Sequence, residues 1–304
     1  SAVFLLAPAS AWLAVRIGAM DVPDARKVHF SPVPRIGVAA VYLAFMAAVI
    51  RNQQFSREIY GIMLGGTIIF TLGFFDDWKG LSARTRLFWQ TAAALSVTFF
   101  GLHLSLPGNI PFGMAISTVL SVIWLVGIVN AFNFMDGIDG LASTMGAVCA
   151  LLFLGIGWKS SQYPLSFISA ALAGACFGFL RMNWRPARIF LGDSGSTFIG
   201  FILGCLALYG SWATDNPAVS LSTPLLVLGI PIFDIIYTTI SRVRNGSVRS
   251  VKEWLEYAGK DHFHHRLMKL GMSVEQTVGF IVVLNICLGL GAWTMRRTVT
   301  SVGT

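Results

Sequence analysis

The chain has 304 residues, of which 55% are hydrophobic and only 12% charged, with a formal net charge of +8 and a mean hydropathy of +0.70. Soluble domains carry roughly 25% charged residues, so the composition excludes an ordinary soluble fold and indicates a polytopic helical membrane protein. The basic excess could serve nucleic acid on a soluble scaffold, but it sits in loops between apolar runs, as the positive-inside rule requires, and no nucleic-acid partner is expected.

A helical span needs about 20 apolar residues. On that measure ten spans are expected, over residues 1–19, 36–50, 59–75, 86–104, 110–129, 140–157, 163–181, 195–213, 222–241 and 275–295, in a single all-α membrane domain covering 1–304. The first run lacks a basic leader and a cleavage site, so it reads as a span. The four cysteines, Cys149, Cys176, Cys205 and Cys287, all lie inside apolar runs and read as buried free thiols acting as small hydrophobes. Of the 22 lysines and arginines, 17 fall in one set of loops. This asymmetry assigns that set to the cytoplasm and both termini to the outside. The clustered acids and histidines fall on the same side, so any chemistry is expected to face the cytoplasm.

Five polar inserts interrupt the apolar pattern. Asp21-Val-Pro-Asp-Ala-Arg-Lys-Val-His29 follows the first span; its Lys27 could meet an anion or anchor the helix at the headgroups. Gly73-Phe-Phe-Asp-Asp-Trp-Lys-Gly-Leu-Ser82 carries Asp76 and Asp77, with Arg86 just beyond. Neighbouring helical residues point about 100° apart, so the two carboxylates are expected to do different jobs rather than chelate as a pair. Asn130-Ala-Phe-Asn-Phe-Met-Asp-Gly-Ile-Asp-Gly-Leu-Ala142 places Asn130, Asn133, Asp136 and Asp139 three apart, on one helical face. Polar groups are costly near lipid, so such a cluster marks a site.

Arg181-Met-Asn-Trp-Arg-Pro-Ala-Arg188, with Asn183, leads into Phe190-Leu-Gly-Asp-Ser-Gly-Ser196, where glycines flank Asp193 at the mouth of a span. The turn could face an anion with its N–H groups, or Asp193 or Ser194 could cap the helix. Asp234 lies inside the ninth predicted span after a kink expected at Pro231, lining or bracing a cleft. Finally, Asp261-His-Phe-His-His-Arg-Leu267 gathers His262, His264, His265 and Arg266. Without sulfur partners it suits phosphate better than zinc. Carboxylates beside Arg and His in one pocket suit a Mg²⁺-bridged pyrophosphate, hence a soluble nucleotide meeting a lipid.

These motifs, in this order and over nearly the whole chain, resemble the polyprenyl-phosphate N-acetylhexosamine-1-phosphate transferases. The bacterial undecaprenyl-phosphate GlcNAc-1-phosphate transferase branch is the most similar, and it is related to the MurNAc-pentapeptide enzyme of peptidoglycan synthesis. The resemblance implies about ten spans in the bacterial inner membrane, a cytoplasm-facing active site, Mg²⁺ (with Mn²⁺ as a substitute), a UDP-N-acetylhexosamine donor and a polyprenyl phosphate acceptor. It also implies a place at the first membrane step of a cell-surface glycan such as lipopolysaccharide or O-antigen. It makes Asp193 the metal ligand with Asn133 as a second, and sets Asp76 and Asp77 to position or deprotonate the lipid phosphate. Asp139 would meet the uracil and Asp136 would lean towards the metal, with Asn130, Asp136 and Asn183 counted among the substrate-binding residues. Arg86, Lys27 and the loop of His262, His264, His265 and Arg266 would hold phosphates and sugar. A homodimer is left open. The competing reading is a transporter or flippase for lipid-linked sugars, which predicts internal repeats and mid-span polar groups; the sequence offers only Asp234.

Overall fold

A computed structural model describes residues 20–21, 33–34, 39–52, 55–106, 111–213, 216–250, 253–254, 257 and 259–302. The expected first span and the Asp21–His29 insert with Lys27 fall almost wholly outside the described residues.

Apart from a two-residue antiparallel pair, β1 (Met20–Asp21) with β2 (Val33–Pro34), the described chain is helical. The helices are α1 (Ala39–Asn52), α2 (Arg57–Lys79), α3 (Ala83–Phe99), α4 (Gly113–Met135), α5 (Leu141–Lys159), α6 (Tyr163–Asn183) and α7 (Gly192–Tyr209). After them come α8 (Pro217–Val227), α9 (Gly229–Arg244), α10 (Phe263–Lys269) and α11 (Val274–Val302). Local sequence starts several of them. Ser56, Ser82 and Asn216 each accept a hydrogen bond from the backbone N–H three residues on, satisfying a donor the first turn leaves free.

Six described helices are long and apolar enough to cross a membrane, or seven if the bent pair α8 and α9 counts as one. Large apolar side chains such as Val119 and Ile123 on α4, and Val283 and Leu290 on α11, face outward. A water-exposed surface would not favour so many; with the apolar helices they make this a multi-pass membrane protein.

Three expected spans differ. The run at 36–50 becomes α1, an apolar helix of 14 residues that is too short to count among the spans. The run at 86–104 becomes α3, which begins at Ala83, carries Arg84 and Arg86 in its first turn and is not among the apolar spans. The run at 222–241 is broken, with α8 and α9 meeting at 81°. Pro231 has no N–H to give to the carbonyl four residues earlier. That carbonyl, of Val227, accepts instead from Asn285 Nδ2 at 3.2 Å and from Cys149 Sγ at 3.3 Å, so the break is satisfied inside the bundle.

The bundle is organised around α7, whose residues from Ser194 to Ala207 are all buried. A helix buried on every side is apolar all round. Its neighbours α2 and α4 approach through small residues: a Cβ at Gly200 would sit 3.0 Å from the Ile128 carbonyl, and one at Gly73 would overlap the Ser194 backbone. Such contacts are how helices associate without a hydrophobic drive from water. Helices α5 and α6 form a hairpin, α1 packs on α6, and α11 covers α5 and α8. Cys149, Cys176 and Cys205 are buried in this core, but Cys287 is exposed on α11, because an apolar helix in a membrane bundle also presents an outward face.

Candidate active site

One end of the bundle collects the described polar inserts, around the first turn of α7. Gly192 adopts φ +68°, and its missing Cβ makes room for the Asp77 carboxylate. Asp77, near the end of α2, accepts from Asp193 N at 2.9 Å, Ser194 N at 3.0 Å and Ser194 Oγ at 2.6 Å. The anion expected at this helix N-terminus is therefore an internal one, and neither Asp193 nor Ser194 acts as the side-chain cap. Asp76 turns elsewhere, as its adjacent helical position requires. Its Oδ1 accepts from Leu81 N at 2.6 Å and its Oδ2 lies 3.4 Å from Arg86 Nη1.

Freed from capping, Asp193 faces α4. Asn133 Nδ2 donates to Asp193 Oδ1 at 2.6 Å and to Ser196 Oγ at 3.1 Å. Asn130, one turn earlier, donates to Gln90 Oε1 and to Val126 O, both at 2.8 Å. Asp76, Arg86, Gln90, Asn130, Asn133, Asp193 and Thr197, with Leu72 and Gly73, line a small cleft. Sequence reasoning missed Gln90 and Thr197. Gln90 is hidden on a helix that also carries Thr91, Ser96 and Thr98; Thr197 has no signal either, since its hydroxyl bonds the Asp193 carbonyl at 2.5 Å as any helical threonine can.

The turn from Asp136 to Gly140 forms a second wall. Asp136 ends α4 and faces the Gly192 backbone N–H; burial pushes its carboxyl well above the ordinary carboxylate range, and the charges of Asp193 and Asp77 push the same way. Gly140, at φ +76°, starts α5 against the Trp184 ring. Asp139 accepts from Ala187 N at 3.2 Å. Asn183 is 2% exposed, accepts from Ser143 Oγ at 2.7 Å and donates to Ile189 O at 3.0 Å. It braces the loop between α6 and α7 and does not line the cleft.

The histidine motif closes over this turn. Asp234 accepts from Phe263 N at 2.7 Å and lies 2.8 Å from His262 Nδ1. Arg242, missed as a site residue, is 3% exposed, grips Asp261 through two 2.8 Å bonds and sits 3.1 Å from His262 Nε2. Arg242's hydrogen bonds hold the Asp261 carboxyl below its usual range. Arg266 donates to the Asp261 carbonyl and to Tyr237 Oη, over whose ring it lies. His264 is fully buried, with neither ring nitrogen hydrogen-bonded among the described residues, and packs so closely on Gly137 that a Cβ there would overlap Nε2. Burial holds His264 well below its ordinary pKa, as does the half-buried position of His265 to a lesser degree.

Asp76, Arg86, Asn130, Asn133 and Asp193 thus share the cleft. Asp77, Asp136 and His264 stand directly behind or beside it, while His262, Arg266, Asp139 and Asn183 hold the surrounding loops. Lys27 lies outside the described residues. The described residues contain no group of three or more His, Cys, Asp or Glu side chains that could hold a metal. Asp193 Oδ2 and Asn133 Oδ1 make no hydrogen bond among the described residues and so remain available to a cation at the cleft that Asp76 also lines, although Asn133 presents its Nδ2, not its oxygen, to Asp193.

Residues 59–211 match the glycosyl transferase family 4, a stretch that holds every residue lining the cleft. The chain is 31% identical over 301 residues to a probable undecaprenyl-phosphate N-acetylglucosaminyl 1-phosphate transferase of Bacillus subtilis, covering 97% of this chain and 82% of that protein. It is 32% identical to the decaprenyl-phosphate N-acetylglucosaminephosphotransferase of Mycobacterium tuberculosis, over 92% of this chain and 76% of the relative. To the undecaprenyl-phosphate alpha-N-acetylglucosaminyl 1-phosphate transferase of Escherichia coli it is 28% identical, over 89% and 75%. With half of its length matched by the family and similarity to these relatives extending almost end to end, the chain belongs to glycosyl transferase family 4.

Proposed function

We propose that this protein transfers N-acetylglucosamine 1-phosphate from UDP-GlcNAc to a polyprenyl phosphate, releasing UMP. The observation that carries the reading is the cleft itself, where Asp193 and Asn133 face Asp76 and Arg86 at one end of a membrane bundle. The relatives' names supply the polyprenyl phosphate and the transferred N-acetylglucosamine 1-phosphate; the UDP carrier is part of the proposal. An oxygen of the lipid phosphate attacks the β-phosphorus of the donor in line, the bond from that phosphorus to the bridging oxygen breaks, and UMP leaves with the electron pair. A phosphate monoester is already largely dianionic at pH 7, with a second pKa of about 6. Asp76 is therefore asked mainly to orient Arg86, which it holds at 3.4 Å, rather than to remove a proton. Arg86 faces the phosphoryl oxygens.

Mg²⁺, with Mn²⁺ as a substitute, would be held by Asp193, with Asn133 as a second ligand once its amide turns its oxygen inward, because Mg²⁺ takes one or two protein ligands and completes its shell with water and phosphate. When bound it neutralises charge on the phosphates. We place the cleft on the cytoplasmic side of a bacterial inner membrane, in a chain of about ten spans with both termini outside; the lysine and arginine asymmetry supports this. The turn of Asp136 to Gly140 and the histidine motif would hold the nucleotide and sugar. A transporter needs polar groups along a path, and Asp234, the mid-span candidate, is committed to His262 and Phe263.

The test is an incubation of purified protein in mixed micelles with UDP-GlcNAc, undecaprenyl phosphate and Mg²⁺. UMP and an acid-labile glycolipid in equal amounts are expected. Active-site loading without product from any UDP-N-acetylhexosamine overturns the proposal.

A further inference from the structure

Gln90 is 5% exposed and lies on the inner face of α3, one turn beyond Arg86 and so about 6 Å further along the helix. A mostly buried amide makes its hydrogen bonds within the protein or to what enters the cleft beside it. Within the protein only the oxygen of this amide is served. Oε1 accepts from Asn130 Nδ2 at 2.8 Å, and Asn130's other amide hydrogen goes to Val126 O at 2.8 Å. With Oε1 fixed by Asn130, the planar amide turns Nε2 the opposite way. That nitrogen makes no hydrogen bond among the described residues, and Gln90 lines the cleft. Two N–H donors are thus held in one orientation, beside Arg86, with no acceptor.

The position of α3 selects which substrate supplies the acceptor. Its outward face carries exposed Phe88, Trp89, Leu95 and Phe99, the surface a lipid chain would follow. The loops that could take a polar nucleotide, around Asp136 and His264, lie across the cleft on α4 and beyond. Resting on the transferase reading above, we propose that Gln90 is a further substrate-binding residue. Its Nε2 hydrogens bind a nonbridging oxygen of the polyprenyl phosphate, next to Arg86, and Asn130 is the positioning residue that aims them.

Two variants test this in the micellar assay, with undecaprenyl phosphate varied as surface mole fraction and UDP-GlcNAc varied separately. Gln90→Glu keeps the shape and replaces the donors with a carboxylate; Gln90→Met keeps the volume without donors. Both are expected to raise KM for undecaprenyl phosphate by about tenfold or more, Glu more than Met, while KM for UDP-GlcNAc changes less than twofold. Asn130→Ala, which frees the amide to rotate, should raise the same KM by a smaller factor. A rise in KM for UDP-GlcNAc alone assigns the amide to the donor's pyrophosphate and overturns the proposal. So does an unchanged lipid KM in folded Gln90→Met, or a lowered kcat and melting temperature with both KM values unchanged. The wild-type protein reads out separately: if it makes no UMP, the transferase reading fails before any variant is compared.

Discussion

The cleft and the histidine motif are both crowded with ionisable groups, yet they treat charge in opposite ways. Around the motif the charges of Asp234, Arg242 and Asp261 are answered within the protein: Arg242 grips Asp261, and Asp234 holds His262 and the Phe263 N–H. Around the cleft, Asp76, Asp193 and, just behind them, Asp77 and Asp136 share a small volume with Arg86 as the one cation among the lining residues. Like charges at such spacing favour proton or cation uptake. The first arrangement is complete and builds a scaffold; the second is completed by what binds. The same contrast separates the neighbours Asp76 and Asp77, of which Asp77 is spent on α7 and Asp76 is open to the cleft.

The sharpest break of that contrast is Asp193→Asn. It should lower kcat by about a thousandfold, in the range seen when one group stabilising developing charge is removed, with little change in melting temperature, since Asp77 and not Asp193 caps α7. Turnover within tenfold of wild type would return Asp193 to a structural role. Arg242→Met is expected to behave the other way. Leaving Asp261 without its partner costs about 3 kcal/mol, read as lower resistance to thermal unfolding in detergent, with residual activity per folded molecule. Asp77→Ala strips acceptors from two backbone N–H groups and the Ser194 hydroxyl, costing about 2–3 kcal/mol; Asp77→Asn should recover part of it, which a group acting on substrate would not show.

Gly137→Ala tests how tightly the two regions are joined. A Cβ there must displace the His264 ring, so overpacking of about 1–2 kcal/mol should accompany a severalfold rise in KM for UDP-GlcNAc. The smallest effect is in acid. Asp261's folded pKa lies below its ordinary 3.8, chiefly through Arg242's hydrogen bond. Its contribution to stability is therefore present above about pH 4 and lost as pH falls through the folded value. Melting temperatures from pH 6 downwards should show this limb in wild type and not in Asp261→Asn.

Much of the site is legible in the chain. Asn130, Asn133 and Asp193 stand out because amides and acids are rare beside apolar spans, and Asp76 and Asp77 diverge because a helix turns about 100° per residue. Gln90 and Arg242 hide among residues that read as helix filler or as loop charge, since their importance comes from partners 40 and 19 residues away. The span at 222–241 was readable as kinked at Pro231, but not as an 81° break, because the carbonyl that Pro231 orphans is satisfied by Asn285 and Cys149 from other helices.

By itself, then, the sequence determined that the chain is a helical membrane protein, which segments are apolar, and which polar inserts interrupt them. Those are properties of local composition and period. Only the tertiary structure decided what each carboxylate does. A charge near lipid must find a partner, and whether that partner is a neighbouring helix, as for Asp77 and Asp261, or is left to come from a ligand, as for Asp193, depends on which helices pack against it.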